Sequence, residues 1–147
     1  MKFSTRSMYG LRALMALARD HGQGSLFLRD IAEREGLPGT YLEQLMVPLR
    51  KAGLVSAIRG AKGGYTLSRH PREVTVLEIL EALEGPLVLA ECPGGSGCCG
   101  RPDACALKDL WTEGSDALRN TYRVVSLATL LERQQVKDQR DMGSWSI

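Results

Sequence analysis

Cys92, Cys98, Cys99 and Cys105 are the only cysteines in the chain, and all four fall within the stretch "ECPGGSGCCGRPDAC". Four glycines and two prolines share those fifteen positions, a mixture that neither helix nor strand interiors tolerate, so the thiols are expected on a loop. Five residues separate Cys92 from Cys98, and five separate Cys99 from Cys105. Thiolates suit iron–sulfur clusters and zinc, and glycines let backbone amides approach and hydrogen-bond the sulfurs. Zinc would accept four thiolates, but its usual structural site has two pairs with short spacers, which this spacing lacks. A disulfide switch would need only two of the four.

Such a loop works only if firm elements flank it. Before it, "VTVLEILEALEG" places Val76, Ile79, Leu80 and Leu83 on one helical stripe ending at Gly85. After it, Leu107, Leu110, Trp111, Leu118, Tyr122 and Val125 recur at helical spacing. One small domain does not easily cover so long an apolar face, whereas the same helix of a second copy would, predicting a two-fold dimer. Ser126 can cap a short terminal helix, "LATLLER", and the tail "DMGSWSI" carries no structural signal.

The composition, 44% apolar and 24% charged, is that of a folded protein. Arginines break the apolar positions of "MKFSTRSMYGLRALMALARD", so this is an amphipathic helix rather than a secretory signal. Nothing approaches the roughly eighteen consecutive apolar residues of a membrane span. The expected location is the cytoplasm, where thiols stay reduced. The net charge of +2 conceals an asymmetry: residues 1–72 carry twelve Lys/Arg against five Asp/Glu, and residues 73–147 carry seven against twelve. A basic half of this kind suits a polyanion.

In that half, Met8, Leu11, Leu14 or Met15, and Ala18 mark the inward face of a first helix, with Arg6, Arg12 and Arg19 at polar positions. A short extended piece, "SLFL", precedes a brief helix over "LRDIAEREG", with Leu28, Ile31 and Ala32 inward. In "LPGTYLEQLMVPLRKAG", Leu42, Leu45, Met46 and Leu49 form an i, i+3, i+4, i+7 stripe. Pro38 fits a first turn, and Pro48 predicts a bend or an end. Two short helices joined by a glycine-containing turn make a helix-turn-helix. Thr40, Tyr41, Glu43 and Gln44 lie near the start of the second, the end such motifs point into the major groove. Next, "LVSAI" and "GYTLS" flank "RGAKGG" as a hairpin, or wing. From Pro48 to Arg72 there is no acidic residue but six basic ones, Arg50, Lys51, Arg59, Lys62, Arg69 and Arg72. Clustered cations on a hairpin suit phosphates and the minor groove.

"YLEQL" followed by "LRKAGLVSAIRGAKGGYTLSR" is similar to the DNA-binding core of the bacterial winged-helix regulators that include IscR, NsrR and CymR. The resemblance runs from the first helix to about residue 135. It implies a dimeric transcription factor, usually a repressor, with Thr40, Tyr41, Glu43 and Gln44 on the base-reading helix and Arg59 entering the minor groove. It also implies Glu43 as a residue that tunes which sites are accepted. The cluster-binding branch carries three cysteines with five residues between successive ones. Here Cys98 and Cys99 compete for the middle position, and Lys108 stands where a histidine ligand is found. Another branch takes an aspartate from the first helix, where "TRSMYGLR" offers no carboxylate. The resemblance therefore implies Cys92, Cys105 and at least one of Cys98 and Cys99 as ligands. The fourth would be the other member of that pair, or Glu91, Asp103 or Asp109.

The expected fold is mainly α with a small β-hairpin: a winged helix-turn-helix domain over 1–85, a cysteine loop over 86–105, dimerisation helices over 106–136 and a disordered tail over 137–147. The expected cofactor is an iron–sulfur cluster, 2Fe–2S ahead of 4Fe–4S. The expected partners are a double-stranded DNA operator contacted by Arg50, Lys51, Arg59 and Lys62 as well as the reading helix, a second copy of the chain, and iron–sulfur assembly proteins. No membrane partner is expected. No catalytic constellation is present, so the chain does not read as an enzyme. The alternatives are a thiol or metabolite switch without a cluster, or a small electron carrier, which would have no use for a basic wing.

Overall fold

The computed structural model describes residues 3–90 and 105–144, with side chains to residue 141. Helix α1 (Thr5–Arg19) begins where the Ser4 hydroxyl accepts from the backbone N–H of Arg6. Its buried face is Ser7, Gly10, Ala13, Leu14, Ala16, Leu17 and Ala18, and Met8 points outward, contrary to the sequence expectation. Small residues decide this. Gly10 lies directly against the Leu83 side chain, a separation that any Cβ would prevent. The Ser4 and Ser7 hydroxyls both donate to the Glu84 carboxylate, tying the start of α1 to the far end of the helix carrying Leu83. Hydrogen bonds from Ser4, then Ser7, outweigh partial burial and hold the Glu84 carboxyl below its ordinary range.

Helix α2 (Leu28–Glu35) ends at Gly36, which takes the left-handed conformation at φ 61°. Helix α3 (Gly39–Lys51) starts at Pro38 and buries Leu42, Leu45, Met46 and Leu49, the stripe read from the sequence. It does not stop at Pro48. The ring removes one N–H, but the acceptor left behind is the carbonyl of Gln44, an exposed residue that water can serve, and Ala52 N–H closes the next turn onto the Pro48 carbonyl at 3.0 Å.

Strands β1 (Val55–Ile58) and β2 (Gly64–Leu67) form an antiparallel hairpin, with Val55 opposite Leu67 and Ile58 opposite Gly64. The extended segment ahead of α2 joins it, since Leu26 and Tyr65 exchange backbone hydrogen bonds of 2.9 and 2.7 Å. Helix α4 (Val76–Glu84) opens with a capping box between Thr75 and Glu78 and packs Ile79 and Leu83 into the core with Ile31, Leu45, Leu49 and Leu54.

Helix α5 (Ala106–Arg123) buries only Ser115, leaving Leu107, Leu110 and Trp111 at 62%, 54% and 42% exposure. Helix α6 (Leu127–Ser144) is capped by Ser126, whose hydroxyl accepts from Thr129 N–H at 3.1 Å. Leu127 is fully buried in the winged-helix core, and Val76 N–H to Val125 and Leu127 N–H to Val74 stitch this corner to α4. The expected tail over 137–147 is helical as far as Ser144. That portion has no apolar stripe to advertise it. An i, i+4 hydrogen bond, Gln134 to Asp138 at 2.7 Å, supports the turn that leads into it. No helix among the described residues is long and apolar enough to cross a membrane.

Candidate nucleic-acid interface and cysteine segment

The first turns of α3 present Thr40, Glu43 and Gln44 to solvent. A hydroxyl, a carboxylate and an amide are the groups that read base edges. Tyr41 is different: it is half-buried, its ring edge-on to Tyr9 at 5.8 Å. It therefore fixes α3 against α1 and keeps only part of itself for a ligand. Arg50 and Lys51 are exposed in the last turn of α3, where cations also favour the helix dipole.

Arg59 and Lys62 occupy the hairpin tip between β1 and β2, both exposed. The tip needs its glycines. Gly60 and Gly64 have φ of 105° and 133°, and a Cβ on Gly63 would fall 2.7 Å from the Ile58 carbonyl. The Ser25 hydroxyl donates to the carbonyls of Lys62 and Gly63 at 2.8 and 3.0 Å, holding the tip from the side.

Charge pairing distinguishes this surface from the arginines around α1, α2 and α4. Among the described residues, the side chains of Thr40, Glu43, Gln44, Arg50, Lys51, Arg59 and Lys62 have no hydrogen-bond or ion-pair partner. Several arginines elsewhere are engaged. Arg12 and Arg19 converge on Glu35, Arg34 meets Asp20 at 2.6 Å, and Arg69 meets Glu78 at 2.6 Å. Arg69 is thus a structural cation despite lying in the basic run. Partial burial would raise the Glu78 carboxyl, but hydrogen bonds from Thr75 and Arg69 together outweigh it and leave it lowered. The pairing partners are distant in sequence, so a count of basic residues cannot see them.

Of the four cysteines, Cys105 is described, a half-buried free thiol at the N-cap of α5. Cys92, Cys98 and Cys99 lie outside the described residues, as do Glu91 and Asp103. Asp109 is exposed in the first turn of α5, one turn beyond Cys105. His21 and His70 stack edge to face at 5.2 Å within the DNA-binding half. No group of three metal-capable side chains occurs among the described residues.

The approach to the cysteine segment has features the sequence did not signal. Leu89 N–H donates to Ser115 Oγ at 2.9 Å, Ser115 donates to the Trp111 carbonyl at 2.7 Å, and Leu89 packs onto Gly114. Arg119 on α5 pairs with Glu81 on α4 at 2.5 Å. Leu89 and Cys105, on either side of the undescribed segment, are therefore both attached to α5, and α5 is attached to the winged-helix domain.

Residues 3–133 match the model of a family described as Rrf2, iron-dependent transcriptional regulator. The HTH-type transcriptional regulator IscR of Photorhabdus laumondii is 36% identical over 138 residues, covering 94% of this chain and 84% of that protein. Its namesake in Xenorhabdus nematophila is 36% identical, covering 96% and 85%. Among solved structures, CymR, the global cysteine regulator of B. subtilis, matches with a TM-score of 0.74 at 38% identity, covering 90% of this chain and 98% of CymR. T. potens IscR matches with a TM-score of 0.72 at 37% identity, covering 91% and 88%.

Proposed function

The chain belongs to the Rrf2 family of transcriptional regulators, and from that premise we propose that it is a homodimeric, cytoplasmic repressor whose grip on operator DNA depends on an iron–sulfur cluster. The observation that carries the DNA-binding part is the unpaired polar and basic set gathered on α3 and the wing, while Arg12, Arg19, Arg34, Arg69 and Arg119 are engaged internally. The start of α3 enters the major groove with Thr40, Glu43 and Gln44 toward base edges. Glu43 is best placed against cytosine, whose amino group can donate to it. Arg59 enters the minor groove, and Arg50, Lys51 and Lys62 neutralise phosphates. The apolar face of α5 through Leu107, Leu110 and Trp111 is covered by the same helix of a second copy, which sets the spacing of the two reading heads.

The donor set fits the cluster: Cys92, Cys105 and at least one of Cys98 and Cys99 would hold it, with the remaining cysteine, Glu91, Asp103 or Asp109 available as fourth ligand. Lys108 has no lone pair to offer while charged. A cluster there would supply sensitivity to oxidants or nitric oxide, with 2Fe–2S the favoured form, and its loading would draw on iron–sulfur assembly proteins. The chain's own residues then carry the consequence. Because Leu89 and Cys105 are both fixed to α5, a change in the segment between them bears on that helix. Ser115 holds Leu89 to α5, and the Arg119–Glu81 pair passes the change to α4, which packs in the same core as α3.

Anaerobically purified protein is expected to be coloured, with iron and acid-labile sulfide in equal amounts and at least two of each per chain. Colourless protein from a host able to build clusters would end the sensor reading. A second reading is favoured by the match to Staphylococcus aureus CymR in its oxidized form, 40% identical with a TM-score of 0.69. On that reading, two of the cysteines form a reversible disulfide. Iron-free protein whose DNA affinity changes on thiol oxidation would select it.

A further inference from the structure

We propose that Arg29, held over the ring of Phe27, grips a DNA phosphate beside the wing and so extends the interface beyond α3 and the hairpin tip. The proposal rests on the DNA-binding reading above. Phe27 is the N-cap of α2, yet it makes no capping hydrogen bond, and 37% of it is exposed. Ser, Thr, Asp or Asn would serve the helix better there. What the ring does do is carry a cation: the Arg29 guanidinium lies 5.2 Å from its centroid. A stacked guanidinium is already oriented, so less side-chain freedom is lost when its planar fork meets a phosphate.

Placement supports a DNA ligand. Ser25 is bonded to the wing tip through the Lys62 and Gly63 carbonyls, Leu26 is paired with Tyr65, and Phe27 follows at once. Arg29 therefore follows closely on a segment bonded to the hairpin that carries Arg59 and Lys62. It also lies on the first helix of the helix-turn-helix, the one that crosses the sugar–phosphate backbone in such motifs. Its side chain is 82% exposed, and its contact with Asp30 is through Nε at 3.4 Å. An exposed pair of that kind contributes little and leaves the terminal nitrogens without a partner among the described residues. Arg12, Arg19, Arg34 and Arg69, by contrast, are each engaged through terminal nitrogens.

The contact is independent of sequence, so a fluorescent duplex of arbitrary sequence and about 30 base pairs serves as the probe, titrated by anisotropy across a salt series. R29A is expected to weaken binding about fivefold to tenfold at the low end of the salt series, the loss shrinking as salt rises. It should also reduce the slope of log affinity against log salt by about one per bound protomer. R29K should restore the slope while regaining only part of the affinity, because the charge returns without the fork. F27A should keep the wild-type slope and lose affinity about twofold to threefold, since the charge remains but is no longer oriented. All three should melt with the wild type. A wild-type slope and affinity in R29A would overturn the proposal while leaving DNA binding intact. Wild-type protein with no affinity for any duplex would instead overturn the DNA reading on which the proposal rests.

Discussion

Replacing Arg59 with alanine is expected to weaken operator binding by about tenfold to a hundredfold per protomer, from the roughly 1–3 kcal/mol that a specific arginine contact contributes. The structure indicates why the loss should be confined to binding. Arg59 is exposed at the wing tip with no internal partner, and the hairpin is held by backbone pairing, the Ser25 hydroxyl and its glycines. Anisotropy on a duplex enriched from a random pool measures the effect, and unchanged melting and absorption show that fold and cofactor survive. Arg69 provides the contrast, because its guanidinium is spent on Glu78. R69A should lower stability more than DNA affinity. Equal binding by R59A and the wild type would remove the wing from the interface.

The second large effect is expected at Cys105. C105S should abolish visible absorption and, with it, any difference in DNA affinity between anaerobic and oxidant-treated protein, leaving the two within about twofold. Serine is an informative substitution here. Cys105 is the N-cap of α5 and makes no capping hydrogen bond, whereas serine is among the best N-cap residues. The helix should therefore be kept or strengthened, and a lost response cannot be blamed on a frayed α5. Retained colour in C105S would exclude this cysteine as a ligand.

The elements that position the interface were readable because each has strong local punctuation. Leu42, Leu45, Met46 and Leu49 gave the period of α3, the stripe from Val76 to Leu83 and Gly85 marked α4 and its end, and the glycines around Lys62 marked the wing. Two of the misreadings share a cause, since each depended on a partner remote in sequence or on solvent. The helix passes Pro48 because the carbonyl it orphans belongs to exposed Gln44. Met8 faces outward because Gly10 must meet Leu83. Residues 137–144 are helical with no stripe to announce them. At the candidate interface, residue type pointed to the cations of α3 and the wing but could not say that Arg69 is engaged with Glu78 or that Tyr41 leans on Tyr9. The Phe27–Arg29 stack did have a signal, an aromatic residue where a capping side chain belongs, two positions before an arginine. For the cysteines, spacing and resemblance carry the ligand assignment, and the structure adds the attachment of Leu89 and Cys105 to α5.

The most direct measurement compares operator occupancy by the same preparation before and after its cluster is removed anaerobically, with ionic strength, protein concentration and duplex held constant. Coupling between cluster and DNA is expected to shift affinity about tenfold, within the 1–3 kcal/mol range usual for linked sites. Indistinguishable binding curves for the coloured and bleached protein would contradict it.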